Sequence, residues 1–346
     1  MTSAAEQIKE THIAWQKPVW SAGFDAPVNH VLPTSDGAAF LCGDGVVHHV
    51  DNDGVRGSFK LHSGAILSAV ILPDGRLLTG GDDGRVCLSD GRGHTDVVSA
   101  NDGIWVDCVA ANASGAIAWS AAQRVYHRDA KGEVRSIGCP STPASLAFDP
   151  KGRRVAIAIY GGVWLWLPKD KDNLVRKLDW KGSHIHVTWS PDGKHVLTSM
   201  QENELHGWRL SDGAHMRMAG YPAKIHSLSW HRSGQLLATG GGPTAVIWPF
   251  DQQGPWNRRP AELGYAEANL VRVAWHPLVD VIAGGCAMGS LQIATVHRPD
   301  GMEIKGPGDG GITGLCWIND GAALAAGTAQ GRSAIFAFER ASFHVA

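Results

Sequence analysis

The chain has no run approaching the roughly 18 apolar residues that would cross a bilayer as a helix. Its opening, MTSAAEQIKETHIAW, lacks the apolar stretch of a secretory signal, so a protein of neither membrane nor secretory route is expected. Charge of one sign is also missing. Lys and Arg total 31 against 33 Asp and Glu, a formal net charge of −2, with none of the basic excess needed to neutralise phosphates. Nucleic acid and membrane are therefore not expected as partners. The six cysteines (Cys42, Cys87, Cys108, Cys139, Cys286 and Cys316) are scattered without paired spacing. That argues against a disulfide framework and for reduced thiols in a cytoplasmic protein.

Catalytic signatures are missing as well. No Gly-x-Ser-x-Gly elbow and no His-Glu-x-x-His helix occurs. Gly240-Gly241-Gly242-Pro243 sits between two strand-like runs, with no following helix or Lys to make a phosphate cradle. Carboxylates are spread among turns and form no assignable acid pair. No catalytic residue, metal or cofactor is expected.

What the chain does have is a repeat. An apolar residue, another three on, and a bulky one two further recur eight times. They read Val28-Val31-Pro33, Ile66-Ala69-Ile71, Val106-Val109-Ala111, Pro143-Leu146-Phe148, His184-Val187-Trp189, Ile225-Leu228-Trp230, Leu270-Val273-Trp275 and Ile312-Leu315-Trp317. First positions lie 38, 40, 37, 41, 41, 45 and 42 residues apart. A period near forty with strand-like content is the signature of a β-propeller. Each unit buries its apolar faces only against neighbours, so a single domain over residues 1–346 is expected.

The phrase reads as the innermost strand of a blade. Turns follow at Asp36-Gly37, Asp74-Gly75, Ser114-Gly115, Lys151-Gly152, Asp192-Gly193, Ser233-Gly234 and Asp320-Gly321, where Gly supplies the φ > 0 that tight hairpins need. The seventh unit has Leu278-Val279-Asp280 instead and predicts a different turn. Second strands such as Arg76 to Gly80, Val196 to Ser199 and Leu236 to Gly240 come next, then third strands such as Val163 to Trp166, Leu205 to Trp208 and Ala245 to Trp248. Their alternation predicts sheets with two unequal faces. Outer strands fit the linkers, for example Val55 to Leu61, Val175 to Trp180 and His215 to Ala219.

Units at about 27–60, 61–101, 102–140, 141–181, 182–221, 222–266, 267–308 and 309–338 supply eight inner sets but only seven outer strands. His12 to Trp20 is the remaining strand-like segment, and pairing it into the last blade would close the ring. The expected fold is an all-β, closed propeller of four-stranded blades. The count favours eight, with seven as the rival if the first or third unit is decoration.

Val187-Thr188-Trp189-Ser190-Pro191-Asp192-Gly193, followed by Leu197-Thr198-Ser199 and Gly207-Trp208, resembles the WD-repeat β-propellers. The resemblance covers residues 27 to 338 and is best in units two, four, five and six. It implies a protein–protein interaction scaffold. Departures are plain: the family's Trp-Asp ending is Trp alone at Trp166, Trp208 and Trp248 and Ser89-Asp90 in unit two. Its turn Asp is visible at Asp44 and Asp83 and missing from most units. The family's His–Ser/Thr–Trp–Asp network is therefore expected to be incomplete, leaving rigidity to apolar packing.

By repeat register His30, Ser68, Cys108, Ser145, His186, Ser227, Arg272 and Gly314 share one position and are expected to line a channel. His30 and His186 would face each other too far apart for one Zn²⁺, whose bonds to nitrogen are ~2.0–2.1 Å. His184-x-His186 would need a third ligand, such as His226. His48 and His49 are adjacent on one strand and point to opposite faces.

Two partner surfaces are expected. The insertion Asp251 to Ala268 carries Trp256, Arg258, Arg259 and Tyr265, residue types enriched at interaction hot spots. Near the entry to the inner strands lie Asn29, Trp105, Asp107, Lys224, His226, Asn269 and Arg272. The expected function is a non-catalytic platform, monomeric by itself and cytoplasmic, that holds another protein or peptide. The alternative is a ligand-binding or enzymatic propeller using His30, Cys108, His186, His226 and Arg272 in the channel. A structural subunit of a fixed assembly is a third reading.

Overall fold

The structure is a computed structural model; it describes residues 12–13, 17–91, 93–101, 103–251, 254–296 and 298–338. No helix among them is long and apolar enough to cross a membrane. The chain divides into two compact units, one of residues 1–38, 52–54 and 221–346, the other of 39–51 and 55–220.

Almost every described element is a strand, and the strands form seven hydrogen-bonded sheets. In all but the last of the four-stranded sheets they follow chain order and pair antiparallel, as in 66–100 and 109–138. The expected outer strands are present, for example Gly54–Lys60 and His215–Met218. The insertion contributes one too, Ala261–Leu263, paired with Ala245 to Ile247.

Counted as hydrogen-bonded sheets, this all-β propeller has seven blades where the repeat predicts eight. The first and third units are not decoration, for each forms its own four-stranded sheet. The difference arises between units four and five, which share one six-stranded sheet. Val155–Trp166 and Val175–Trp189 are unusually long, at 12 and 15 residues. Tyr160 pairs with Ser183 and Gly162 with Asp179, so the ladder carries across from one unit to the next. Only a register shift between Tyr160 and Gly162 marks the repeat boundary there.

The N-terminal segment also differs from expectation. Trp20–Gly23, not His12 to Trp20, is the strand that pairs antiparallel with Arg332–Ala337 and completes the last sheet. His12–Ile13 pairs parallel with Met302 and Glu303 in the preceding sheet, making it five-stranded. Residues 14–16, which include Trp15, lie outside the described residues.

Burial within the sheets departs from simple alternation. The second strands Ala38–Cys42, Leu77–Gly81, Ile117–Ala121, His195–Met200, Val281–Cys286 and Ala323–Thr328 are buried at every residue. Small residues dominate them because both faces are covered, and a strand covered on both faces loses the polar alternation. The clusters that cover them join consecutive sheets. One packs Val86 and Leu88 against Val109 and Trp119; another packs Leu291 and Ile304 against Leu324 and Phe336.

Most of the expected glycine turns form, although Gly37 is not among the glycines with positive φ. Gly75, Gly115, Gly152, Gly193 and Gly234 have φ between 64° and 84°. The odd seventh turn is capped by a side chain: His276 Nδ1 accepts the backbone N–H groups of Leu278 and Val279.

Candidate functional site

Six of the eight residues that share the repeat register have a common structural task. Ser68 Oγ accepts the backbone N–H of Val109 at 2.9 Å, Ser145 Oγ that of Val187 at 3.2 Å, and Ser227 Oγ that of Val273 at 3.0 Å. Cys108 donates to the Pro143 carbonyl, and Arg272 Nε donates to the Thr313 carbonyl at 2.7 Å. Gly314 has no room for a side chain, since a Cβ there would lie 2.5 Å from Val31 Cγ2. Each of these six residues therefore binds or abuts the inner strand of the following repeat, while His186 pairs with Ser199 in its own unit. A residue at this position is aimed at its neighbour, and the hydroxyls and the thiol are engaged there.

Burial pushes the Cys108 thiol up to about 12, which removes it as a thiolate ligand or nucleophile near neutral pH. Among the described residues no three His, Cys, Asp or Glu side chains come together to hold a metal ion.

The network implied by the resemblance survives in altered pieces. His62 bonds Asp83 at 2.9 Å and Thr79 at 2.8 Å, while Asp83 also accepts the N–H of Ser63. His184 bonds Thr198 at 2.7 Å. In the sixth unit a tyrosine replaces the histidine: Trp248 Nε1 donates to the Tyr221 hydroxyl, which is 2.7 Å from Thr239. The sequence reading missed Tyr221 because it looked for histidine, although the phenol performs the same bridging.

Burial works against the Asp83 carboxylate, but hydrogen bonds from His62, Ser63 and Arg85 outweigh it and hold its pKa below the ordinary range. Its stabilising contribution is complete above the unfolded value near 4 and is lost as pH falls through the lower folded value. Asp83→Ala is expected to cost about 1–3 kcal/mol at pH 7, read from urea unfolding, because it strips His62 and Ser63 of a shared acceptor. A midpoint unchanged from wild type would show that the network carries no stability.

Of the expected contact residues, Trp105 is a large ring left 60% exposed. Val106 beside it is fully buried and bonds the Gly81 carbonyl, and Gly80 is a glycine because a Cβ there would meet Val106 at 2.5 Å. That anchor holds Ile104 and Trp105 outward. Partial burial raises Asp107 above the usual carboxylate range. Asp102 lies outside the described residues.

A second exposed ring stands nearby in topology. Tyr160, 70% exposed, lies within Val155–Trp166 just before Gly161 and Gly162, which both have positive φ, and its N–H donates to Ser141 Oγ. Ser141 precedes Pro143, whose carbonyl takes the Cys108 bond, so the entry to one inner strand lies beside the entry to the next. Ile104, Trp105 and Tyr160 therefore sit at the same end of consecutive strand sets. Tyr160 is absent from the sequence-based expectations, and the glycine pair that follows it was the available signal.

Lys224, His226 and Arg272 also come together. Burial first, then the charges of Arg272 and Lys224, hold His226 below its usual range, so it is neutral at pH 7. Arg272 is lowered by burial, and no carboxylate among the described residues lies within ion-pair distance of it. Its guanidinium instead bonds the carbonyls of Thr313 and Val271. Asn269 contributes its carbonyl to the Ala287 N–H.

In the insertion, Arg258 is ion-paired with Asp251, Arg259 is exposed and Trp256 is half-buried. Tyr265 is 45% exposed, its N–H donating to Gln292. Gln252 and Gln253 lie outside the described residues.

The chain matches the family described as "WD domain, G-beta repeat" at residues 55–90 and 215–249. It is 30% identical over 97 residues to "Cell division cycle 20.1, cofactor of APC complex" of Arabidopsis thaliana, a match covering 27% of this chain and 21% of that protein. It is 25% identical over 179 residues to human "Echinoderm microtubule-associated protein-like 3", covering 50% of this chain and 16% of that protein. Protein HIR1 of Cryptococcus neoformans is 23% identical over 310 residues, 82% of this chain and 33% of the other. The chain thus spans a third or less of these relatives' lengths. The crystal structure of the computationally designed Ika8 protein superposes with a TM-score of 0.78 at 14% identity, covering 93% of this chain and all of that one, which speaks for the fold alone.

Proposed function

Because this chain is a WD-repeat β-propeller, we propose that it is a non-catalytic docking protein whose partner engages the edge carrying Ile104, Trp105 and Tyr160. The exposure of the two large rings carries this reading. A Trp and a Tyr left in water at one end of neighbouring strand sets forfeit burial that a partner surface would restore. The Arabidopsis relative is a cofactor of a complex by name, which supports docking in place of catalysis. In this reading the protein works in the cytoplasm, is monomeric by itself, and binds protein or peptide, not nucleic acid or membrane. The partner side chains that fit are apolar ones able to sit between the rings.

Trp256, Arg259 and Tyr265 form a second proposed contact, weaker because Arg258 is already neutralised by Asp251. Asp107, Lys224, His226, Asn269 and Arg272 are proposed as polar contacts flanking the inner strands.

The test compares proteins captured from native extract by the wild-type chain, by Trp105→Ala/Tyr160→Ala, and by Trp256→Ala/Arg259→Ala. Hot-spot aromatics typically contribute about 2 kcal/mol or more, a loss of roughly thirtyfold in affinity. The first double variant is expected to lose a protein that the second retains, with unfolding midpoints unchanged. Identical captures by all three would end the proposal.

A further inference from the structure

A cavity of about 640 Å³ lies between the strands 291–304 of one sheet and 326–336 of the next, within a single compact unit. Its inner lining is mostly apolar, with the hydroxyls of Ser21, Thr328 and Ser333 among it. Leu291, Ile304, Ile312 and Phe336 are each at most 2% exposed, and Ala326 and Ala334 add small faces. They belong to the packed cluster that joins these two sheets, and the cavity lies against its edge. A volume of this size falls within the roughly 300–1,000 Å³ range of small-molecule pockets, which are likewise mostly apolar with a few placed polar groups.

The rim is cationic. Lys17, Lys305 and Arg332 face a single carboxylate, Asp309, so three positive charges stand against one negative. They are not equally available. The Lys305 ammonium donates to the carbonyls of Gly289 and Gly306 at 3.0 and 3.1 Å and lies 3.7 Å from Asp309. Arg332 reaches Asp309 only at 3.9 Å through Nε, and its side chain is 62% exposed. Most of its donors are therefore unspent at the mouth of an apolar cavity. A planar guanidinium offers two parallel donors that match a carboxylate.

We propose that this cavity binds an amphipathic carboxylate, a small aliphatic or aromatic acid whose apolar body fills the space while its carboxylate meets Arg332. Charge complementarity selects the anion, and the dry walls select its tail. A fully polar anion such as inorganic phosphate would leave those walls in contact with water. The site is independent of the docking edge and of whether that edge binds protein.

The probe is octanoate in isothermal titration calorimetry with the full chain, and octan-1-ol is the uncharged control of equal tail length. Octanoate is expected to bind once per chain, about tenfold tighter than the alcohol. Arg332→Gln should weaken octanoate about tenfold while leaving octan-1-ol unchanged, since an exposed side chain contributes the charge and not the fold. Ala334→Trp, which places a ring in the cavity, should abolish both. If that bulky variant fails to fold, Arg332→Gln and the alcohol decide the matter by themselves. No saturable heat at millimolar octanoate, equal affinities for acid and alcohol, or octanoate binding unaffected by Arg332→Gln would overturn the proposal.

Discussion

Replacing Trp166 with alanine is expected to destabilise the protein by about 3–5 kcal/mol, the range for deleting a large aromatic from a closed core. Trp166 is the largest of the fully buried side chains, at 0% exposure. It packs among Leu146, Val155, Ile157 and Ile159 of its own unit and Val125 and Cys108 of the preceding one. Its ring meets His127 edge-on at 6.2 Å, and Nε1 donates to the Asn173 side chain at 3.2 Å. Truncation removes the transfer energy of the indole and leaves a cavity shared by two strand sets, which rigid β-strands on both sides cannot close. The orphaned Asn173 adds little, because it is exposed. The urea midpoint should fall steeply at unchanged slope, with Trp166→Phe losing much less. A Trp166→Ala protein within about 1 kcal/mol of wild type would mean that this core is not close-packed.

Acid is expected to destabilise the chain from pH 6.5 downward, and His206 is the principal cause. The side chain is 0% exposed, its ring stacks on Trp180 at 4.0 Å and 16°, and neither ring nitrogen has a hydrogen-bond partner. Burial above all, and then His215, His184 and Arg217, lower its pKa to about 3. The folded state therefore refuses a proton that the unfolded chain accepts below about 6.5. Stability from this group is complete above that value and drains away as pH falls toward 3. At pH 5 the loss amounts to about 2 kcal/mol relative to pH 7. His127, His184 and His195 are lowered by burial in the same direction and add to the slope. His206→Phe keeps a flat ring against Trp180 and removes two unsatisfied nitrogens. It should be no less stable than wild type at pH 7 and lose about 2 kcal/mol less on going to pH 5. Parallel pH–stability curves for the two proteins would refute the assignment.

Histidines illustrate how far a one-dimensional reading reaches. His62, His184 and His206 are near-identical letters in strand-like surroundings. One is bound to Asp83, one to Thr198, and one has no partner for either nitrogen. Which of these a histidine becomes depends on residues 14 to 21 positions away, so no local pattern distinguishes them. The shared register position tells a related story. The period aligned Ser68, Ser145 and Ser227 correctly, yet the direction of their hydroxyls, toward the following inner strand, emerges only when the strand sets are stacked.

The period near forty, the Gly turns and the outer strands were determined by the chain's own letters, because backbone dihedrals and strand pairing within a hairpin are local matters. Tertiary structure alone decided the rest. It joined units four and five into one six-stranded sheet, set Trp20–Gly23 as the strand that completes the last one, and left Trp105 and Tyr160 in solvent while burying Trp166. The physical reason is common to all three. A sheet edge or an aromatic face is satisfied by whatever arrives beside it, and the identity of that neighbour is set by packing over distances that no repeat period encodes.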